Sequence, residues 1–140
     1  TGWMHNRVRM ITASFLVKHL RIHWQEGEKH FRNCLLDFNR ANNIAGWQWV
    51  AGCGADAAPY FRIFNPILQG EKFDPNGEYV KKWIPELSNV PKEFIHKPWE
   101  LDKDVTDLEI GKNYPKPIVN HQAARNAALE AFQKIRKKVI

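Results

Sequence analysis

The segment Asn6–Ile22, NRVRMITASFLVKHLRI, determines the fold class because its apolar side chains recur at intervals of three or four residues. This spacing is typical of an amphipathic helix rather than of an alternating strand. The apolar positions are Val8, Ile11, Phe15, Leu16, Leu20 and Ile22. We therefore expect a well-buried helix in this segment, and Glu26–Glu28 is expected to end it.

The remainder of the chain indicates further helices and gives little sign of a sheet. Helical spacing recurs in Phe31–Leu36 and Glu78–Leu87, and a third segment, Asn42–Ala51, carries two tryptophans. The alanines and the basic C-terminal end of His121–Val139 favour a last helix. A turn is expected at Gly52–Gly54, an ordered loop at Pro59–Lys72, and a surface loop with short turns at 88–120. The sequence therefore predicts an all-α fold.

The composition is that of one folded domain. The chain has 140 residues, of which 44% are hydrophobic and 26% are charged. No apolar run approaches the roughly 20 residues of a membrane-spanning helix, and the N-terminus lacks a signal-peptide pattern, so a cytoplasmic location is expected. Cys34 and Cys53 have no metal-binding spacing and are expected to be reduced. The net charge of +6 permits a polyanionic partner.

The first helix contains polar residues that suit either of two roles. Asn6 and Met10 are four residues apart and share a helix face, on which Arg9 neighbours Asn6. Arg7 is expected to point elsewhere. The group forms either an exposed basic turn or a clamp for a phosphate or carboxylate.

A second polar group consists of Asp37, Asn39 and Asn43. Residues of these types cap helices, and they also bind ligands through one carboxylate and two amides. An ion pair between Asp37 and Arg9 would allow both residues to be buried, although sequence spacing does not show that they meet.

Two further sets of side chains were considered as functional residues. Trp47 and Trp49 lie about 200° apart on a helix, so they face different ways: both pack in a core, or one is presented as a stacking surface for a nucleobase. His19 and His23 are four residues apart but lack a third ligand, so no metal site is expected. No sequence motif of a hydrolase or a kinase is present.

Three longer stretches carry a family resemblance. They are TGWMHNRVRM at residues 1–10, NIAGWQW at 43–49 and DAAPYFRIFNP at 56–66, followed by QGEKF at 69–73, WIPEL at 83–87 and YPKPIV at 114–119. Together they resemble the DNA photolyase/cryptochrome family across essentially the whole chain, and the bacterial cyclobutane-dimer photolyases most.

The resemblance implies that residues 1–140 are the C-terminal part of the helical FAD-binding domain. The family's N-terminal antenna domain and the upstream part of the flavin pocket would then be absent. An antenna chromophore of the folate or deazaflavin type would belong only to that absent domain.

The resemblance also implies a light-driven DNA repair lyase, in which excited reduced FAD donates an electron to a flipped-out pyrimidine dimer. By motif position, the cofactor-binding residues are Trp3, Asn6, Arg9, Asp37, Phe38, Asn39 and Asn43. Arg9 and Asp37 resemble a buried ion pair beside the flavin ring, and Asn43 resembles the asparagine near flavin N5. Trp47 and Trp24 resemble the inner and middle members of the electron-transfer relay that reduces oxidised FAD.

On the DNA side, the residues implied are Asn6, Arg7, Met10, Trp49 and Gln69, with Trp49 stacking on the dimer. The partner would be damaged DNA and the full-length protein a monomer without membrane contact. One departure from the family pattern is Asn39, where a second aspartate is common. Its amide can bond the flavin's pyrimidine edge through either the carbonyl or the NH₂ group.

Two other functions remain open. A cryptochrome-type photoreceptor would use the same Trp24 and Trp47 relay for signalling, although Met10 and Trp49 at the lesion face disfavour it. Alternatively, this chain alone is an inactive fragment with normally buried surface exposed. We expect that the isolated 140 residues repair no DNA.

Overall fold

The computed structural model describes residues 1–55, 61–101 and 107–138, and these form helices without strands. The helices are α1 (Asn6–Ser14), α2 (Trp24–Cys34), α3 (Arg40–Ala51), α4 (Pro66–Phe73), α5 (Glu78–Trp83) and α6 (His121–Lys138). Short 3₁₀ turns cover Pro85–Leu87 and Pro98–Glu100. The predicted all-α fold is confirmed.

The first of two compact units comprises Thr1–Phe64 and Val119–Ile140. Here α1 continues as a π-helical segment, Phe15–His19, against which α6 packs, and α2 packs against α3. The core joins α1, α2 and α3 through Ala13, Phe31, Trp47 and Val50. The first helical segment therefore contributes to the core through Ala13, but it ends at His19, and the predicted apolar position Ile22 is exposed.

The predicted helix break at Glu26–Glu28 is wrong. The chain breaks at Arg21, whose φ is +54°, and α2 then runs without interruption through Gly27. A Cβ atom at Gly27 would overlap the ring of Trp47, because three ring atoms would lie within 2.6 Å of it. The glycine therefore allows close packing of α2 on α3 instead of a turn.

The second unit, Asn65–Ile118, contains α4 and α5. Helix α4 lies where an ordered loop was expected, because Asn65 caps it and Pro66 occupies its first position. As expected, most of the described residues of 88–120 are exposed and lie in loops and short turns, although Val90 and Ile95 are fully buried. The apolar core of this unit consists of Leu87, Val90, Ile95 and Leu108.

Several smaller predictions are confirmed. Gly52 ends α3 with a φ of +76°, which is the expected turn. Cys34 and Cys53 are free. The segment predicted as one helix, Glu78–Leu87, divides into α5, which ends at Trp83, and a 3₁₀ turn that ends at Leu87. Helix α6 has its basic residues in the last turn.

Among the helices described, none is both long and apolar enough to cross a membrane. Pro59 and Val139 lie outside the described residues.

Candidate functional site

A cavity of about 290 Å³ lies in the first unit between α1, α2, the segment after α2 and α3. It brings together residues that are up to 44 positions apart in sequence, from Asn6 to Val50. The predicted site residues that line it are Asn6, Arg9, Met10, Asp37, Phe38, Asn39, Asn43 and Trp47. Its volume is at the low end of the roughly 300–1,000 Å³ of ligand pockets, enough for part of a large cofactor.

Arg9 and Asp37 form an ion pair, which sequence spacing alone could not establish. Arg9 Nη2 lies 2.8 Å from Asp37 Oδ1 and 2.9 Å from Oδ2, and Arg9 Nε donates to the Met4 carbonyl at 2.7 Å. In this chain the pair is partly open to solvent, with 45% of the Asp37 side chain exposed. Asp37 follows α2 at the wall of an open cavity, so solvent reaches its carboxylate.

Asn43 is held by Glu28, a residue that the sequence analysis missed. Asn43 Nδ2 donates to the Glu28 carbonyl at 3.0 Å and to Glu28 Oε1 at 3.2 Å. Glu28 is buried and also pairs with Arg32 at 3.6 Å. The signal was present, since Glu28 lies four residues after Trp24 and three before Phe31, on the apolar face of α2.

Asn39 is the N-cap of α3. Its Oδ1 accepts a hydrogen bond from the backbone N–H of Asn42 at 3.0 Å, and its backbone carbonyl accepts one from the backbone N–H of Asn43. The capping role considered from sequence is therefore confirmed for Asn39, but not for Asn43, which lies inside the helix. On α1, Asn6 Nδ2 contacts Met10 Sδ at 3.8 Å, which confirms that these two residues share a face.

Trp47 is buried, with 3% of its surface exposed. It packs edge-to-face on Phe31 with ring centroids 5.0 Å apart, and its Nε1 has no hydrogen-bond partner among the described residues. Trp24 is half-buried and packs against the same core. Trp47 thus lies between the cavity and the protein interior.

The other predicted site residues lie outside this cavity. Trp49 lines a separate recess with Gln48 and Cys53, but it also packs against the core cluster that contains Trp47, so the two tryptophans do not separate as fully as predicted. Trp3 is 59% exposed. Arg7 is on α1, and Gln69 is on α4 in the second unit.

Buried titratable groups also occur on the π-helical segment. Burial and the nearby Arg62 lower the pKa of Lys18 to about 8, and its ammonium group donates to the Arg62 carbonyl. His19 Nε2 lies 2.7 Å from His121 Nδ1, and burial lowers the pKa of both imidazoles. Within 1–55, 61–101 and 107–138, no three His, Cys, Asp or Glu side chains gather to hold a metal.

Comparison with known proteins agrees with this geometry. The family model described as the FAD-binding domain of DNA photolyase matches residues 1–134. The chain belongs to this family. The resemblance seen in the sequence motifs is thus confirmed at the level of the family, and the cavity lies within the matched residues.

Individual relatives are similar over nearly the whole chain. The deoxyribodipyrimidine photo-lyase of Agrobacterium fabrum is 58% identical over 139 residues, which are 97% of this chain and 29% of that protein. The crystal structure of a class III photolyase from Agrobacterium tumefaciens has a TM-score of 0.90 at 58% identity, covering 97% of this chain and 29% of that one. A Synechocystis cryptochrome structure has a TM-score of 0.85 at 40% identity, covering 93% and 27%. This chain therefore spans less than a third of the length of these relatives.

Proposed function

We propose that this chain supplies one wall of the FAD pocket of a light-driven lyase that repairs pyrimidine dimers in DNA. The observation that carries the proposal is the cavity itself. It gathers Arg9, Asp37 and Asn43 with Trp47 in a chain that is 58% identical to a protein named deoxyribodipyrimidine photo-lyase.

The residues of the cavity suit a flavin ring. Arg9 and Asp37 provide a paired charge at its wall, and the fixed amide of Asn43 leaves its carbonyl oxygen as an acceptor for a ligand N–H. When bound, reduced FAD supplies the electron that opens the dimer. A cavity of about 290 Å³ accommodates part of this cofactor, so other protein segments would complete the pocket.

Trp47 and Trp24 are proposed as the relay that keeps the flavin reduced. Trp47 lines the cavity and is buried from solvent, and Trp24 packs on the same core at a more exposed position. An indole in this arrangement passes an electron from the solvent side toward the cavity. The Nε1 of Trp47 has no hydrogen-bond partner among the described residues, so an oxidised Trp47 keeps its proton and is reduced by an electron from Trp24.

The DNA-facing residues are proposed to be Asn6, Arg7, Met10, Trp49 and Gln69. Asn6 and Met10 line the cavity, which supports contact with a base extruded from the duplex. The half-buried Trp49 offers a ring for stacking, and the net charge of +6 favours a polyanionic partner.

The proposal extends to the protein that contains this segment. We place residues 1–140 in the C-terminal part of the FAD-binding domain of a bacterial cyclobutane-dimer photolyase, a monomeric cytoplasmic protein. An antenna chromophore would bind elsewhere in that protein. Because the chain spans 29% of the Agrobacterium fabrum relative, the isolated 140 residues are expected to be inactive.

The decisive experiment is a chimera in which this chain replaces the matching segment of the Agrobacterium fabrum photo-lyase. The purified chimera is expected to retain FAD after desalting and to repair dimer-containing DNA under blue light. A Trp47→Phe variant should slow light-driven reduction of oxidised FAD, while repair after chemical reduction persists.

Trp83→Phe provides the matched control, because Trp83 is a partly exposed tryptophan of the second unit and does not line the cavity. It should leave both measurements unchanged. A chimera that retains FAD but repairs no dimers would contradict the proposed activity. Repair by the isolated 140-residue chain would instead contradict the fragment proposal.

A cryptochrome-type photoreceptor is the second candidate. The similarity to the Synechocystis cryptochrome structure, with a TM-score of 0.85, favours it. It would use the same cavity and indoles without repairing DNA. Robust repair by the chimera excludes a purely signalling role.

A further inference from the structure

The two cavity asparagines, Asn39 and Asn43, differ in which end of the amide the protein uses. Asn43 Nδ2 donates to the Glu28 carbonyl and to its carboxylate, both of which only accept hydrogen bonds when the carboxylate is ionised. Asn39 Oδ1 accepts from the Asn42 backbone N–H, which only donates. These partners fix the orientation of both amides.

The groups left for a ligand are consequently opposite. Asn43 retains its carbonyl oxygen as an acceptor, and Asn39 retains its NH₂ group as a donor, with no acceptor among the described residues. Both residues line the cavity. The Asp37 carboxylate completes the array as a charged acceptor, already bonded to Arg9.

We propose that this array sets the orientation of a planar heterocycle by hydrogen-bond polarity. Asn43 accepts from a ring N–H, and Asn39 donates to a carbonyl of the ring edge rather than accepting from a ring N–H. This inference rests on the proposed function and makes Asn39 a specificity-determining residue for the flavin's pyrimidine edge. An aspartate at position 39 cannot act in this way, because an ionised carboxylate has no donor.

A neutral donor at position 39 has a predictable effect on the cofactor. Reduced FAD carries more negative charge on its pyrimidine edge than oxidised FAD does. An N–H donor at the N-terminus of α3 therefore favours the reduced form, and the helix dipole acts in the same direction. Asn39 thus raises the affinity for reduced FAD relative to oxidised FAD.

The test uses Asn39→Asp and Asn39→Ser in the chimera described above. Asparagine, aspartate and serine are comparable N-cap residues, so both variants keep the cap of α3. Aspartate removes the donor, and serine replaces the NH₂ group with one hydroxyl on a shorter side chain. Only Asn39→Asp adds a charge, and the pair of variants separates the effect of the charge from that of the donor. Asn65→Asp is the matched control, because Asn65 caps α4 and does not line the cavity.

The first measurement is the infrared spectrum of FAD labelled with ¹³C at its two pyrimidine carbonyls. A carbonyl stretch should move to higher frequency in both Asn39 variants, and Asn65→Asp should leave it unchanged. The second measurement compares the Kd values of oxidised and reduced FAD. Asn39→Asp should shift their ratio about tenfold toward oxidised FAD, which is about 30 mV for a two-electron couple, and Asn39→Ser should shift it less.

The outcomes separate this inference from the proposed function. Unchanged carbonyl stretches in both variants, with FAD still bound, would overturn the role of Asn39 alone. Tighter binding of reduced FAD by Asn39→Asp would also overturn it, because position 39 would then face a ring N–H. A chimera that retains no FAD would reject the proposed pocket and this inference together.

Discussion

The two compact units use their polar side chains differently. In Asn65–Ile118, Asp74 accepts from the backbone amides of Tyr79 and Val80 at 3.2 and 3.1 Å, and His96 bonds the Asp74 carbonyl. Other charged side chains of this unit form surface ion pairs, such as Lys97 with Glu71 at 3.7 Å. In the cavity of the first unit, Asn43 pairs with Glu28 and Arg9 pairs with Asp37. These cavity side chains retain hydrogen-bonding capacity for a ligand, whereas the second unit directs its polar groups into its own fold.

The largest effect is expected from the core of the second unit. Leu87 is 1% exposed, and Leu87→Ala should lower the free energy of unfolding by about 3 kcal/mol because it removes buried methyl groups and leaves a cavity. Leu68→Ala, at a position 59% exposed, should change the stability by less than about 0.5 kcal/mol. Urea denaturation of the chain measures both. Equal effects would contradict the core assigned to this unit.

The next effect tests the packing that shapes the cavity. Gly27→Ala should destabilise the chain by about 2 kcal/mol, because its Cβ would overlap the Trp47 ring. Gly46→Ala is the matched control on α3, since a Cβ there meets no atom within 4 Å, and it should stabilise the helix by up to about 1 kcal/mol. If Gly27→Ala stabilises the chain as well, the close packing of α2 on α3 is wrong.

Gly27 also illustrates what could and could not be predicted from sequence. Helical spacing correctly predicted α1, and the alanines and basic C-terminal end of α6 correctly predicted that helix. The interpretation of Gly27 as a helix break was wrong. The position has no room for a side chain because the ring of Trp47, 20 positions later in the chain, packs against it. A contact between two helices is not visible in the spacing of either one.

The candidate site shows the same limit. Motif resemblance indicated eight of the residues that line the cavity, including both members of the Arg9–Asp37 pair. It missed Glu28, whose importance arises from its bonds to Asn43. The resemblance also left the orientation of the Asn39 amide open. That orientation follows from a cap bond to Asn42 and requires coordinates.

A smaller effect should distinguish capping from cavity chemistry. Asn65 Oδ1 accepts from the amides of Ile67 and Leu68, so Asn65→Ala should cost about 1 kcal/mol, and Asn65→Ser should restore most of it. FAD retention by the chimera should be the same in all three proteins. A loss of FAD confined to Asn65→Ala would show that the second unit contributes more than its own fold.

The smallest effect is a pH dependence at the contact between the π-helical segment and α6. Burial and the neighbouring His121 lower the pKa of His19. Burial and the nearby Arg125 lower the pKa of His121. As pH falls below about 6.5, the unfolded chain binds protons that the folded chain excludes, so stability should fall. No described acidic group bonds either ring to offset this loss.

His121→Gln should flatten the dependence of stability on pH between about pH 7.5 and 5.5 in urea denaturation, whereas His30→Gln, at an exposed position, should not. An unchanged slope in His121→Gln would show that the helix contact does not depend on neutral imidazoles.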